Sequence, residues 1–246
     1  MTAPAIAALL DEATHPYRAA GRYAYHFARG KLRHDPAFRW LLSSGMIPSG
    51  ARVLDIGCGQ GVLLSMLLAA RRLYDAGTWP DGWPAPPERL VLRGIDLQPG
   101  EVRKATKALG DAVSVETGDV RDADFPESDV VVILDVLHYI DHQLQKRALE
   151  RIADALAPGG RLLLRIADAN AGWRFVVTHV CDRFGTLMRG ELWPRHRHRP
   201  LAEWIALLNR CGLDARAVPM SEGTPFANVL LIAEEKRTEG KDRTEC

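Results

Sequence analysis

No stretch of this 246-residue chain reaches the about 18 consecutive apolar residues that a membrane-spanning helix requires. Charge of one sign is also missing: 32 Lys plus Arg stand against 31 Asp plus Glu, a formal net charge of +1. Bulk electrostatics therefore offer no attraction for nucleic acid or an anionic membrane surface. The four cysteines, Cys58, Cys181, Cys211 and Cys246, never fall in CxxC spacing, which excludes a disulfide framework and a cysteine-rich zinc site as the organising device. Internal repeats are absent. The opening Met1 to Leu10 is apolar but has no basic flank and runs into Asp11 and Glu12, unlike an export leader. The expectation is a reduced, cytoplasmic, soluble protein without membrane insertion and with no nucleic-acid partner. With 47% hydrophobic residues, the chain can bury the core of one α/β domain and has no room for a second large one.

What the sequence does have is the run Val53, Leu54, Asp55, Ile56, Gly57, Cys58, Gly59, Gln60, Gly61. Its first four residues read as a short buried strand. The alternate glycines read as a tight turn, and the apolar run from Val62 to Leu68 reads as the helix that follows. Glycine suits a backbone that takes positive φ and must approach a ligand without a Cβ in the way. Such a turn also joins strands to helices merely for close packing, so alone it is weak. Asp55 sharpens it: a carboxylate at the strand's end can face a cation and would repel a dinucleotide pyrophosphate. Val62 stands where a dinucleotide fingerprint wants its last small residue.

The other segments arrange themselves around this turn. Residues 1 to 49 read as a helical cap, with one helix from Tyr17 to Phe27 ending at Gly30 and another from Pro36. Its aromatic residues Tyr17, Tyr23, Tyr25 and His26 are candidate pocket walls, or staples that hold the helices to the core. The segment Gly77 to Pro87 holds four prolines and reads as an irregular loop in which Trp79 and Trp83 act as pins. Strands follow at Leu90–Ile95, Ala112–Glu116, Val130–Leu134 and Arg161–Ile166, with Asp96, Asp119 and Asp135 just past three of them. Pro158, Gly159 and Gly160 stop the helix that Asp141 caps. Helices over Trp173–Met188 and Pro200–Arg210 precede a strand pair at Ala215–Val218 and Asn228–Ala233. The polar tail 236–246 reads as disordered, leaving 50–235 as the main domain.

VLDIGCGQG resembles motif I of the class I S-adenosylmethionine (SAM) dependent methyltransferases, and the strand, helix and PGG-turn pattern extends the resemblance to about residue 168. It implies a Rossmann-like, doubly wound seven-stranded sheet in the order 3-2-1-4-5-7-6 with the last strand antiparallel, and SAM across the carboxyl ends of the strands. The implied cofactor residues are Asp55, Gly57, Cys58, Gly59 and Gly61 at the turn, and Asp96 and Leu97 at the ribose. Asp119 and Val120 would stand at the adenine, with Leu134, Asp135 and Lys31 toward the methionine end; Arg29 is a further candidate there. The gap from Gly61 to Asp96 exceeds the usual spacing of about 20, and the proline loop accounts for the excess. His138 falls beside the methyl group and is the candidate base, since histidine titrates near neutrality.

A second resemblance rests on RIADANAGWRF and MSEGTPFANVLL, which look like the methyltransferases of bacterial aryl polyene pigment pathways. It implies a small aromatic or phenolic acceptor, free or presented on an acyl carrier protein, with Arg165, Asp168, Arg174 and Glu222 lining its pocket. Tyr23, His26 and Tyr139 join them as acceptor-side candidates. The run Arg195 to Arg199 reads as a solvated loop or an anion grip. RNA or protein methylation and non-catalytic SAM binding remain as alternatives. Against base methylation, Asp135, Val136, Leu137 and His138 lack the diproline that those enzymes carry after strand four.

Overall fold

In a computed structural model, residues 3–188 and 196–236 are described. Seven strands, β1 (Arg52–Ile56), β2 (Val91–Asp96), β3 (Ser114–Thr117), β4 (Ser128–Leu134), β5 (Leu156–Ala167), β6 (Leu213–Pro219) and β7 (Asn228–Glu235), form one sheet. Their order is β3-β2-β1-β4-β5-β7-β6, with β7 antiparallel to both of its neighbours, as the resemblance implies. The helices are α1 (Ala3–Thr14), α2 (Tyr17–Ala20), α3 (Arg22–His34), α4 (Pro36–Ser43), α5 (Val62–Asp75), α6 (Pro99–Leu109), α7 (His142–Ala155), α8 (Trp173–Met188) and α9 (Leu201–Arg210). No helix among the described residues is long and apolar enough to cross a membrane.

Strand alternation divides the core between the two faces of the sheet. Val53, Val130 and Val132 share a cluster with α5 and the N-terminal helices; Leu54, Val131, Ile133, Leu162 and Leu164 share another with α7 and α9. The parallel register Val53↔Val130 and Leu54↔Val131 keeps these sets in line. A central strand apolar on both faces is the mark of a covered parallel sheet.

Several boundaries differ from expectation. The third helix passes through Gly30 and stops at His34, before Asp35 and Pro36. A mid-helix glycine costs only about 1 kcal/mol, whereas proline has no N–H and turns the preceding residue out of the α region. Asp35 then caps α4 by accepting from the Ala37 N–H at 3.1 Å. Strand β5 starts at Leu156, so Pro158, Gly159 and Gly160 lie within it at a register shift against β4 rather than in a separate turn. Trp79 and Trp83 do pin their loop, with rings 5.7 Å apart and the Trp79 indole N–H donating to the Pro84 carbonyl at 3.0 Å. Lys236, the first residue of the expected tail, donates its N–H to the Gly212 carbonyl at 3.0 Å; the rest of the tail lies outside the described residues.

Candidate active site

The glycine turn leaves β1 with Gly57, Gly59 and Gly61 all at positive φ, 73°, 57° and 75°. Gly57 and Cys58 donate their N–H groups to the Ile95 carbonyl at 2.7 and 3.1 Å, and Gly59 donates to the Asp96 carboxylate at 2.8 Å. The other Asp96 oxygen accepts from the Gln98 N–H at 2.8 Å. The turn is thereby fastened to the tip of β2. A Cβ on Gly57 would lie 2.1 Å from a Val136 methyl, and one on Gly61 would lie 2.8 Å from Leu109. A Cβ on Gly59 would meet nothing within 4 Å. Gly57 is thus required by the protein's own packing and Gly61 is crowded by a leucine side chain that can shift, whereas Gly59 faces open space, which leaves its backbone approachable.

The N-terminal helices hold this turn from behind. Buried Tyr17 donates its hydroxyl to the Gln60 carbonyl at 2.9 Å, and the Gln60 side-chain amide donates to the Ala24 carbonyl at 3.1 Å. Tyr17 is therefore a staple and not a pocket wall. Asp55 is buried at the end of β1 and has no ion-pair partner among the described residues. Burial, and secondarily the nearby Asp96 charge, push its carboxyl up to about 7. A buried carboxylate with no cation beside it is one that a cationic ligand could balance.

Beyond the tip of β3, Asp119 accepts from the Arg121 N–H at 2.9 Å and from its guanidinium Nε at 2.7 Å, and this Arg121 contact holds its carboxyl below the usual range. Val120 is buried against Ile95, while Leu97 is exposed beside Asp96. Leu134 closes β4 at half burial. The sheet thus brings Asp55, Asp96, Asp119 and Asp135 to one edge, the carboxyl ends of adjacent parallel strands.

A cavity of roughly 470 Å³ opens beside that edge. Apolar walls come from Phe27, Pro36 and Phe226, and polar ones from His26, Lys31, Asp135, His138 and Arg165. At its floor, buried Arg165 bridges two acids: its Nε donates to Asp135 at 2.9 Å, a second nitrogen reaches the other Asp135 oxygen, and a third meets Asp35 at 2.5 Å. Lys31 adds contacts of 3.0 Å to Asp35 and 3.8 Å to Asp135. Burial alone would raise the Asp135 carboxyl, but Arg165 and Lys31 outweigh it and hold it at about 2. The same two cations bring Asp35 below its usual range against its own burial. Asp135 sits at φ 61°, an uncommon conformation for a residue with a side chain.

His138 is buried in a short helical turn, Leu137–Tyr139, and its carbonyl accepts from the Arg197 N–H at 2.7 Å. Its ring stacks on His198 with centroids 4.8 Å apart. Burial, with His179 and His196 nearby, lowers the His198 imidazole to about 4. Buried Gln145 on α7 ties this region together by donating to the Leu137 and Arg197 carbonyls at 3.0 and 2.8 Å and accepting from Arg199 at 2.7 Å.

Five expected acceptor residues do not line the cavity. Asp168 is occupied in accepting backbone N–H groups of Asn170 and Leu201, both at 3.0 Å, and so starts α9. Arg174 donates to the Ser221 carbonyl at 3.2 Å, and Glu222 is exposed on that connection. Tyr23 is exposed, stacked with Phe27 and covered by Lys104 at 5.1 Å. Tyr139 turns outward beside His138 and is likewise exposed. Arg29, the further cofactor-side candidate, pairs with Asp11 at 2.5 Å. Arg195 lies outside the described residues; Arg199 is committed to Gln145, Glu203 and the His142 carbonyl, so the basic run is in part an internal brace. Sequence reading missed Asp35 and Gln145. The signals were present, an acid before Pro36 and a glutamine on the apolar face of α7, but each also fits an ordinary cap or a surface position.

The model of the Methyltransferase domain family matches residues 25–215, which cover the turn, the strand tips and most of the cavity wall. The chain belongs to the class I SAM-dependent methyltransferase family. It is 29% identical over 129 residues to carboxy-S-adenosyl-L-methionine synthase of Chromohalobacter salexigens, covering 50% of this chain and 43% of that protein. It is 31% identical over 129 residues to trans-aconitate 2-methyltransferase of Methylobacterium nodulans, covering 52% and 43%. The chain thus spans less than half the length of these curated relatives. The solved magnesium protoporphyrin IX methyltransferase of Synechocystis PCC 6803 with bound SAH superposes with a TM-score of 0.56 at 20% identity over 87% of this chain and 88% of that one, a likeness of fold. Within this member of the family, the open approach over Gly59, the Asp96 carboxylate and the uncompensated Asp55 fit a cationic adenosyl ligand.

Proposed function

We propose that the protein transfers a methyl group from SAM to a small aromatic or phenolic acceptor held in the 470 Å³ cavity. The observation that carries this reading is continuity: Val136, which packs on Gly57, directly follows Asp135, which lines the cavity. Cofactor turn and acceptor chamber therefore share a wall. SAM supplies a methyl on a positively charged sulfur that departs as a neutral thioether. In this reading Asp96 accepts the ribose hydroxyls, Asp119 and the Val120 backbone face the adenine, and Asp55 balances the ligand's positive charge. Gly57, Cys58, Gly59 and Gly61 give the backbone its close approach, Leu97 flanks the ribose, and Leu134, Lys31 and Asp135 stand at the charged methionine end.

The chain's main task is then to align acceptor oxygen, methyl and sulfur in a dry pocket, an effect worth up to about 7 to 11 kcal/mol. Phe27, Pro36 and Phe226 provide apolar walls that exclude water and suit a flat ring. His138 takes the proton from the acceptor hydroxyl as the new oxygen–carbon bond forms, a role typically worth about 10² to 10⁴ in rate. Arg165 and Lys31 are already balanced by Asp35 and Asp135, so the acceptor is held by shape and ring contact more than by a carboxylate grip.

Methyl-labelled SAM incubated with phenolic acids of the aryl polyene type, free and loaded on an acyl carrier protein, tests the assignment by mass spectrometry. Label in an aromatic ether supports it; consumption of SAM only with RNA or protein present would replace it. His138→Ala should keep SAM binding and lose at least about tenfold in turnover. Unchanged turnover in that variant removes the base role.

A further inference from the structure

Behind the His138 wall lies a second concentration of imidazoles that methyl transfer does not use. His179 comes from α8, and His196 and His198 come from the segment that enters α9. One nitrogen from each can be chosen so that all three lie within 4.8 Å of one another. The ring centroids are 5.7 Å apart for His179 with either partner and 5.9 Å for His196 with His198. The rings meet at 88°, 72° and 60°, so none of the three pairs is stacked face to face. All three side chains are half-buried, and the His179 Nδ1 is shielded from solvent with no hydrogen-bond partner among the described residues. We propose that His179, His196 and His198 bind one divalent transition-metal ion, zinc foremost, which fastens the 196–200 segment to α8.

The chemistry of the donor set selects the class of ion. Three imidazoles without a carboxylate suit zinc, cobalt, nickel or copper and offer nothing to magnesium or calcium, which take oxygen ligands. Zinc–nitrogen bonds of about 2.0–2.1 Å place ligand nitrogens roughly 3.3 Å apart in a tetrahedron, so side-chain rotations of about an ångström or more draw the observed group onto an ion. His196 and His198 bring their rings to 5.9 Å of each other, while the Arg197 N–H between them donates to the His138 carbonyl at 2.7 Å. The supports on which ligand orientation depends are present. Gln145 accepts from Arg199 and donates to the Arg197 carbonyl, and Asp168 forms a bridge with Arg199, so the segment carrying two of the ligands is braced on both sides. A purely packed cluster would need none of the three nitrogens to converge; Phe175, 5.0 Å from His198, already supplies ring packing there. Three protein ligands leave one position for water or another small ligand.

The test uses the untagged full chain, stripped with a chelator and dialysed. Titration with cobalt(II) should give about one equivalent bound, with visible absorption bands of a four- or five-coordinate site that zinc then removes. His179→Ala and His196→Ala should each weaken binding more than about tenfold, while His15→Ala, an exposed histidine outside the cluster, should leave it unchanged. Zinc should also raise the Tm of the wild type and not that of the two cluster variants. Circular dichroism and calorimetric SAM binding identify variants that fold; for one that does not, His196→Asn replaces it with a side chain of similar polarity. Absence of stoichiometric cobalt binding, or binding that survives in folded His179 and His196 variants, overturns the site. SAM binding is read separately, so loss of the metal site and failure of the methyltransferase assignment are distinguishable.

Discussion

Two glycines of one turn are expected to respond differently to the same substitution. At Gly57 a methyl group would lie 2.1 Å from Val136, so Gly57→Ala should lower Tm and SAM binding together. At Gly59 nothing within 4 Å obstructs a Cβ, and the cost to the fold is the positive φ, about 1–2 kcal/mol. Gly59→Ala should therefore remain folded by circular dichroism and lose SAM affinity selectively; equal loss of both properties would contradict the assignment of that open face. Asp55 gives a pH signature. Its native carboxyl, raised to about 7, binds a proton more tightly than the unfolded chain does. Its contribution to stability is thus lost as pH climbs from about 4 toward 7. A bound cation favours the ionised form, so SAM affinity should rise several-fold between pH 6 and 8, with proton release at the lower pH. In Asp55→Asn the calorimetric profile should be weak and flat.

Among elements, the junction of α3, α4, β4 and β5 is held by charge. Arg165→Met would leave Asp35 and Asp135 facing each other with only Lys31 between them. Removing one member of a buried pair typically costs about 3–5 kcal/mol, or on the order of 10 °C in Tm at this chain length. Asp35 and Asp135 both lie below the ordinary carboxylate range, so they stabilise the fold above about pH 4 and cease to do so as pH falls toward 2. This acid-side slope of Tm should be reduced in Arg165→Met. The clamp of α2 on the glycine turn is a smaller effect: Tyr17→Phe removes one buried hydrogen bond, worth about 1 kcal/mol, and should raise the SAM Kd by loosening Gln60. These junctions were hard to read in advance. Nothing in the sequence singles out Asp35, and Arg165 is identifiable there only as an acceptor-pocket candidate and not as the bridge between two acids, because partners 130 residues apart leave no local periodicity. Asp168 and Arg174 misled for the converse reason, since backbone groups that need satisfying are invisible in a list of side chains.

At the scale of the molecule, the sheet was legible because each of its determinants is local. Val130 to Leu134 declares a strand covered on both faces, VLDIGCGQG declares a strand, turn and helix, and the acid past each strand marks the carboxyl edge. The cavity was not, since its walls come from α3, α4, α8 and the approach to β7, which only the closed fold assembles. Phe27 and Phe226 become neighbours of the site through tertiary packing alone. Every proposed cofactor contact requires SAM seated over Gly59 between Asp55 and Asp96. Calorimetric titration of the purified chain with SAM tests this most directly. One site per chain, tighter at pH 8 than at pH 6 and lost in folded Gly59→Ala, is the predicted result; no binding at millimolar SAM, or binding indifferent to Gly59 and Asp55, would contradict it.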